Sequence, residues 1–117
     1  MTVNAVIFGC AGPELSAQER AFFARTQPLG FILFARNCRT PDQVRRLAGA
    51  LRESVGRADA LVLIDQEGGR VARLAPPQWR RAPAPATFGA LARRDRAAAL
   101  EAVRGNARLL AAELAEL

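Results

Sequence analysis

The chain has 117 residues, half of them hydrophobic and 24% charged, which supports one hydrophobic core and argues against wholesale disorder. Its net charge of +6 arises from 17 basic against 11 acidic side chains, the arginines being scattered in ones and twos (Arg45-Arg46, Arg80-Arg81, Arg93-Arg94). With no tyrosine and a single tryptophan to interleave with them, they favour a solvated arginine-rich surface over a nucleic-acid interface.

The first apolar run, Val3 to Phe8, lacks a preceding positive segment and is too short to cross a membrane, so it predicts a β-strand and a cytoplasmic protein. Cys10 and Cys38 form no Cys-x-x-Cys pair and adjoin apolar runs, as expected of two small buried hydrophobes in a reduced compartment. With no histidine and no cysteine cluster, the usual zinc ligands are missing and no metal site is expected. Ser16-Ala17-Gln18-Glu19 is a capping box that opens a helix carrying Phe22 and Phe23, and this helix must end before Pro28. The second run, Phe31 to Phe34, predicts the next strand. Thr40-Pro41-Asp42 then supplies an N-cap, a proline at the first helical position and an acid in the first turn. Val44, Leu47, Ala48, Leu51 and Val55 fall on one face of that helix, and Gly56 stops it. The third run, Leu61 to Ile64, is followed by an irregular stretch from Gly68 to Pro85 and a short segment at Phe88 to Leu91. A last helix, from about Arg96 onward, carries a stripe of Leu100, Val103, Ala107, Leu110, Leu114 and Leu117.

None of the three runs alternates with polar residues, which predicts strands buried on both faces, as in parallel sheets covered by helices. The alternation of strands and helices implies parallel pairing through right-handed crossovers. Two architectures accommodate it: a small doubly wound sheet, complete in itself and binding a small sugar or anion, or the opening units of a (β/α)₈ barrel. A whole barrel needs roughly 250 residues. The closing helix runs to Leu117 with no cap, glycine or polar tail, so the sequence reads as truncated.

The chemistry concentrates in Asp65-Gln66-Glu67-Gly68-Gly69-Arg70-Val71-Ala72-Arg73. A buried strand delivers Asp65 at its C-terminal end, where α/β folds place ligands. Two glycines permit a sharp turn and a close approach. A carboxylate can accept from two neighbouring sugar hydroxyls, and an arginine fork can donate to oxygens of the same ring. The same residue types also make a capped turn with solvated arginines, and residue type alone leaves both readings open.

The full string Asp65 to Val71 followed by Arg73 resembles the signature of bacterial β-N-acetylhexosaminidases of glycoside hydrolase family 3. Gly30-Phe31-Ile32-Leu33-Phe34-Ala35-Arg36-Asn37 is similar to the family's second strand and its Arg-Asn exit, and the last helix is similar to the one preceding the fourth strand. Pro76-Pro77 and Pro83-Ala84-Pro85 depart from the pattern.

The resemblance implies an α/β fold made of the first three βα units of a TIM barrel, with residues 1–117 forming the N-terminal part of an incomplete barrel domain. It implies release of terminal β-linked N-acetylglucosamine from peptidoglycan muropeptides during cell-wall recycling, without a cofactor, nucleic acid or membrane. Asp65 and Arg73 are the implied substrate-binding residues, Arg70 and Glu67 shape the loop, and Asn37 lines the same face. The family's acid/base is a histidine and its nucleophile a late aspartate. This chain has no histidine and no segment resembling the nucleophile's, so it is expected to hold no catalytic residue and to be inactive without the remainder of the barrel.

Overall fold

The three apolar runs pair side by side in the computed structural model, which describes residues 2–117. β1 (Asn4–Phe8), β2 (Pro28–Leu33) and β3 (Leu61–Ile64) form a parallel sheet in the order β1-β2-β3, with Phe31 opposite Phe8 and Val62, and Leu33 opposite Ile64. β2 starts three residues before the expected Phe31. Proline is tolerated as a strand's first residue, and pairing is already under way there, because Asn4 N–H donates to Gln27 O at 2.9 Å and Asn4 lies opposite Pro28. The chain divides into two compact units, the first ending at Asp65 and the second spanning Gln66–Leu117.

In the first unit, α1 (Ala17–Thr26) begins with the expected capping box, Ser16 accepting from Glu19 N and Glu19 accepting from Ser16 N. Glu19 also accepts from Ala11 N at 2.8 Å, which ties the loop after β1 to the helix start. Burial alone would raise the Glu19 carboxyl, but these hydrogen bonds outweigh it and hold it below its ordinary range. α1 brings Phe23 edge-on to Phe31, ring centroids 5.0 Å apart, and Phe8 and Phe22 complete the aromatic cluster. α2 (Pro41–Val55) runs from the Thr40 cap to Gly56 and buries Val44, Leu47, Ala48, Leu51 and Val55, the face its spacing predicts.

The helices cover one face of the sheet only. Phe31 and Leu33 are buried beneath them, whereas Ile7, Leu61 and Leu63, on the opposite face, remain 39%, 45% and 40% exposed. The expectation of strands buried on both faces is corrected accordingly: an apolar run records what a strand can bury, not what covers it. On the exposed side β2 and β3 approach closely. A Cβ on Gly30 would lie 2.6 Å from Leu61 O, a backbone atom that cannot yield without shifting the strand. Gly30→Ala is therefore expected to cost about 1–3 kcal/mol in chemical denaturation, the range for forcing one methyl into a filled site. A wild-type midpoint would refute the close approach.

The second unit opens with a small antiparallel hairpin, β4 (Gln66–Gly68) and β5 (Val71–Ala72), inside a stretch that reads as irregular from sequence. α3 (Pro85–Ala92) and α4 (Arg96–Ala115) pack together, and Arg80 reaches α4 through a 3.2 Å ion pair with Glu113. α3 is longer than the predicted Phe88–Leu91 segment, with Pro85 in its first turn. The α4 stripe is corrected in its first half. Leu100 and Val103 are 47% and 44% exposed and Ala107 is exposed as well, while Ala99 is buried and Ala102 and Gly105 are sheltered. The alanine and glycine side of α4 is therefore the sheltered one in this half of the helix. Leu110, Leu114 and Leu117 are half-buried, as the stripe predicts.

Candidate functional site

Asp65 follows directly on the last residue of β3, at the C-terminal edge of the parallel sheet, where strand order and loop geometry place ligands in α/β folds. Along β3, Leu61 and Leu63 are exposed while Val62 and Ile64 are half-buried, and Asp65 continues this alternation on the exposed side. A charged group on this side avoids the desolvation cost of the helix-covered face.

The same sheet edge carries Arg36, which sequence reasoning did not single out. Arg36 follows β2, donates through Nε to Cys10 O at 3.1 Å, and lies over the Phe34 ring at 4.9 Å. Its guanidinium is also what a Cβ on Gly9 would meet, at 3.3 Å. The only advance signal was the Arg36-Asn37 pair itself.

Asn37 does not line this surface. It is fully buried, accepts from Phe34 N at 2.8 Å, and donates to Cys10 O at 3.1 Å and Gly12 O at 2.8 Å. Gln43 continues the clamp, donating to Pro13 O and Asn37 O at 2.7 and 2.8 Å and accepting from Arg39 N. These two carboxamides satisfy loop groups that would otherwise be buried unpaired, so Asn37 is structural.

The remaining motif residues lie in the second unit. Gly68 and Gly69 both have positive φ, 96° and 60°. A Cβ on Gly68 would overlap the Pro83 carbonyl, and one on Gly69 would come within 2.7 Å of the Ala84 Cβ. Gly69 N also donates to Ala82 O at 3.2 Å. Each glycine thus meets both conformational and steric demands, and the Pro83-Ala84-Pro85 departure from the family pattern forms the wall against which the turn packs. Arg70 is exposed beside this wall and Glu67 is exposed on β4, whereas Arg73 is half-buried just beyond β5. Gln66, also missed by sequence reasoning, holds this segment: its side chain accepts from Arg73 N at 2.9 Å and Leu74 N at 3.0 Å, and donates to Leu74 O at 2.9 Å.

Both thiols are shielded. Burial, reinforced by the neighbouring Cys10, pushes Cys38 up to about 11. Burial and then the Glu19 charge raise Cys10 against the opposing pull of Arg36. Because the thiolate is the reactive form, alkylation of Cys38 at pH 7.5 is expected to run about 100-fold slower than for an unhindered cysteine, and denaturant should abolish the difference. Rapid labelling of the native chain would contradict this shielding. Among the described residues there is no group of three or more His, Cys, Asp or Glu placed to hold a metal ion, and no helix is long and apolar enough to cross a membrane.

No protein-family model matches the chain. Individual proteins do. It is 41% identical over 109 residues to the β-hexosaminidase of Xanthomonas axonopodis pv. citri, covering 93% of this chain and 32% of that protein. It is 36% identical over 114 residues to the β-hexosaminidase of Alkalilimnicola ehrlichii, covering 97% and 32%. The chain thus spans about a third of the length of these curated relatives. Among solved structures, NagZ from Neisseria gonorrhoeae in complex with N-trifluoroacetyl-D-glucosamine superposes with a TM-score of 0.87 at 29% identity, over 97% of this chain and 33% of that one. A glycoside hydrolase family 3 β-N-acetylglucosaminidase from Paenibacillus sp. gives a TM-score of 0.76 at 29% identity, over 94% and 20%. In sequence and in backbone alike, this mixed α/β chain is similar to the N-terminal third of β-hexosaminidases, and its fold to that of a glycoside hydrolase family 3 enzyme, the family its Asp65 to Arg73 segment resembles.

Proposed function

We propose that this chain is the substrate-binding N-terminal part of a bacterial β-N-acetylhexosaminidase, forming the first three βα units of a (β/α)₈ barrel whose remainder supplies the catalytic groups. The observation that carries this reading is Asp65 at the C-terminal edge of a three-stranded parallel sheet, in a fold that matches an enzyme captured with an N-acylated glucosamine. The proposed substrate is a terminal β-linked N-acetylglucosamine of a peptidoglycan muropeptide, cleaved in the cytoplasm during cell-wall recycling, with no cofactor.

In this role Asp65 accepts hydrogen bonds from adjacent sugar hydroxyls, and Arg73 is a second substrate-binding residue that donates to sugar oxygens. Each serves to orient the sugar without taking part in bond cleavage. Orientation matters because displacement at the anomeric carbon needs the nucleophile in line with the leaving oxygen and the acid within reach of that oxygen. The apolar sheet face bearing Ile7, Leu61 and Leu63 is, on this reading, the barrel's interior, to be covered by residues from the other strands.

The test is turnover of a chromogenic N-acetyl-β-glucosaminide. A full-length β-hexosaminidase carrying this segment is expected to release the chromophore, and the 117-residue chain alone to give none. Turnover by the rigorously purified chain, or failure of the full-length protein, would sink the proposal.

A further inference from the structure

We infer that Gln66 is a positioning residue for Arg73, an assignment that rests on the sugar-binding reading of Arg73 and extends it. The hairpin register places Gln66 opposite Ala72, the last residue of β5. Beyond that point the backbone ladder stops, and the Gln66 side chain takes it over. Its carbonyl oxygen accepts from both Arg73 N and Leu74 N, at 2.9 and 3.0 Å, and its amide nitrogen donates to Leu74 O at 2.9 Å. One carboxamide therefore does the work of a neighbouring strand for two further residues.

This fixes the direction in which the Arg73 side chain leaves the backbone. Ala72 on one side is held by the hairpin, and Leu74 on the other is fully buried and pinned through both its N–H and its C=O. Arg73 is suspended between two anchored residues. A long arginine loses binding strength when it must be ordered on contact, so anchoring its root lowers the cost of engaging a ligand.

The chemistry of the contact specifies glutamine. An acceptor and a donor are both needed, at the end of a side chain long enough to reach two residues past its own partner. Glutamate keeps the two accepted hydrogen bonds but has no donor for Leu74 O. Alanine keeps none.

The experiment is a double-mutant cycle in a full-length β-hexosaminidase carrying this segment, assayed with a chromogenic N-acetyl-β-glucosaminide. Gln66→Ala is expected to lower kcat/KM by roughly 10-fold, since only part of the three neutral hydrogen bonds lost acts through Arg73, and Gln66→Glu by less. The deciding result is non-additivity: Gln66→Ala should have little further effect once Arg73 is alanine. If Gln66→Ala fails to fold, Gln66→Glu carries the same cycle. An impaired Arg73→Ala beside an unimpaired Gln66→Ala overturns the positioning role, and so do fully additive losses, which would mark Gln66 as structural alone. Arg73→Ala at wild-type efficiency overturns the sugar-site reading itself.

Discussion

Asp65→Ala, made in a full-length β-hexosaminidase carrying this segment, is expected to cut kcat/KM for an N-acetyl-β-glucosaminide by about 100-fold or more. The size follows from the contacts assigned to the carboxylate. Each charge-assisted hydrogen bond lost from a ligand costs roughly 1.5–3 kcal/mol, and every 1.4 kcal/mol is a factor of ten. Two sugar hydroxyls on one carboxylate thus exceed a hundredfold together. Asp65→Asn keeps the shape and one acceptor, so it should retain more efficiency than alanine. Measuring the melting temperature of the variant alongside separates a lost sugar contact from a lost fold. An unchanged kcat/KM would refute its role.

Gly68→Val is the most damaging substitution expected for the fold. Its backbone has φ of 96°, which a β-branched residue adopts only under strain, and its missing Cβ leaves room for the Pro83 carbonyl. Strain and overlap each cost about 1–3 kcal/mol, so a loss on the order of 3 kcal/mol or more is expected in equilibrium denaturation. Gly56→Ala is the internal control. Gly56 also has positive φ, at 64°, but nothing lies within 4 Å of a Cβ placed there, so only the conformational cost of about 1 kcal/mol should appear. Equal losses at the two positions would show that the Pro83 contact contributes nothing.

The parts of this fold legible in the sequence were those written in local chemistry. α2 is the clearest case. Thr40 accepts from Gln43 N, Pro41 occupies the first helical position and Gly56 takes the left-handed conformation, each doing what its residue type does best. The hairpin was not legible because β4 and β5 have three and two residues, too few for any periodicity to emerge. Its stability comes instead from a glutamine side chain and a proline-rich wall, neither of which leaves a pattern. Leu100 and Val103 misled for a different reason. Hydrophobicity marks them as core, but the sheltered side of α4 there is the one bearing Ala99, Ala102 and Gly105, which hydropathy does not single out.

At the candidate site, Asp65 and Arg73 were nameable from the motif, whereas Gln66 and Arg36 were not. Their importance lies in which backbone groups they reach, Gln66 the Arg73–Leu74 segment and Arg36 the Cys10 carbonyl. Sequence spacing does not encode such reach when the partner lies in an irregular loop. Asn37 illustrates the reverse, since its neighbour Arg36 and its place after β2 made it look like a lining residue, while burial had committed its carboxamide to the scaffold.

That commitment has a mechanical consequence. The segment after β1 and the segment after β2 are bolted to each other by one sealed amide, with Gln43 as a second bolt. The pair can only shift as a single rigid rim, so altering the length of either loop would disturb both, and a ligand arriving at that edge meets a stiff lip rather than two independent fingers.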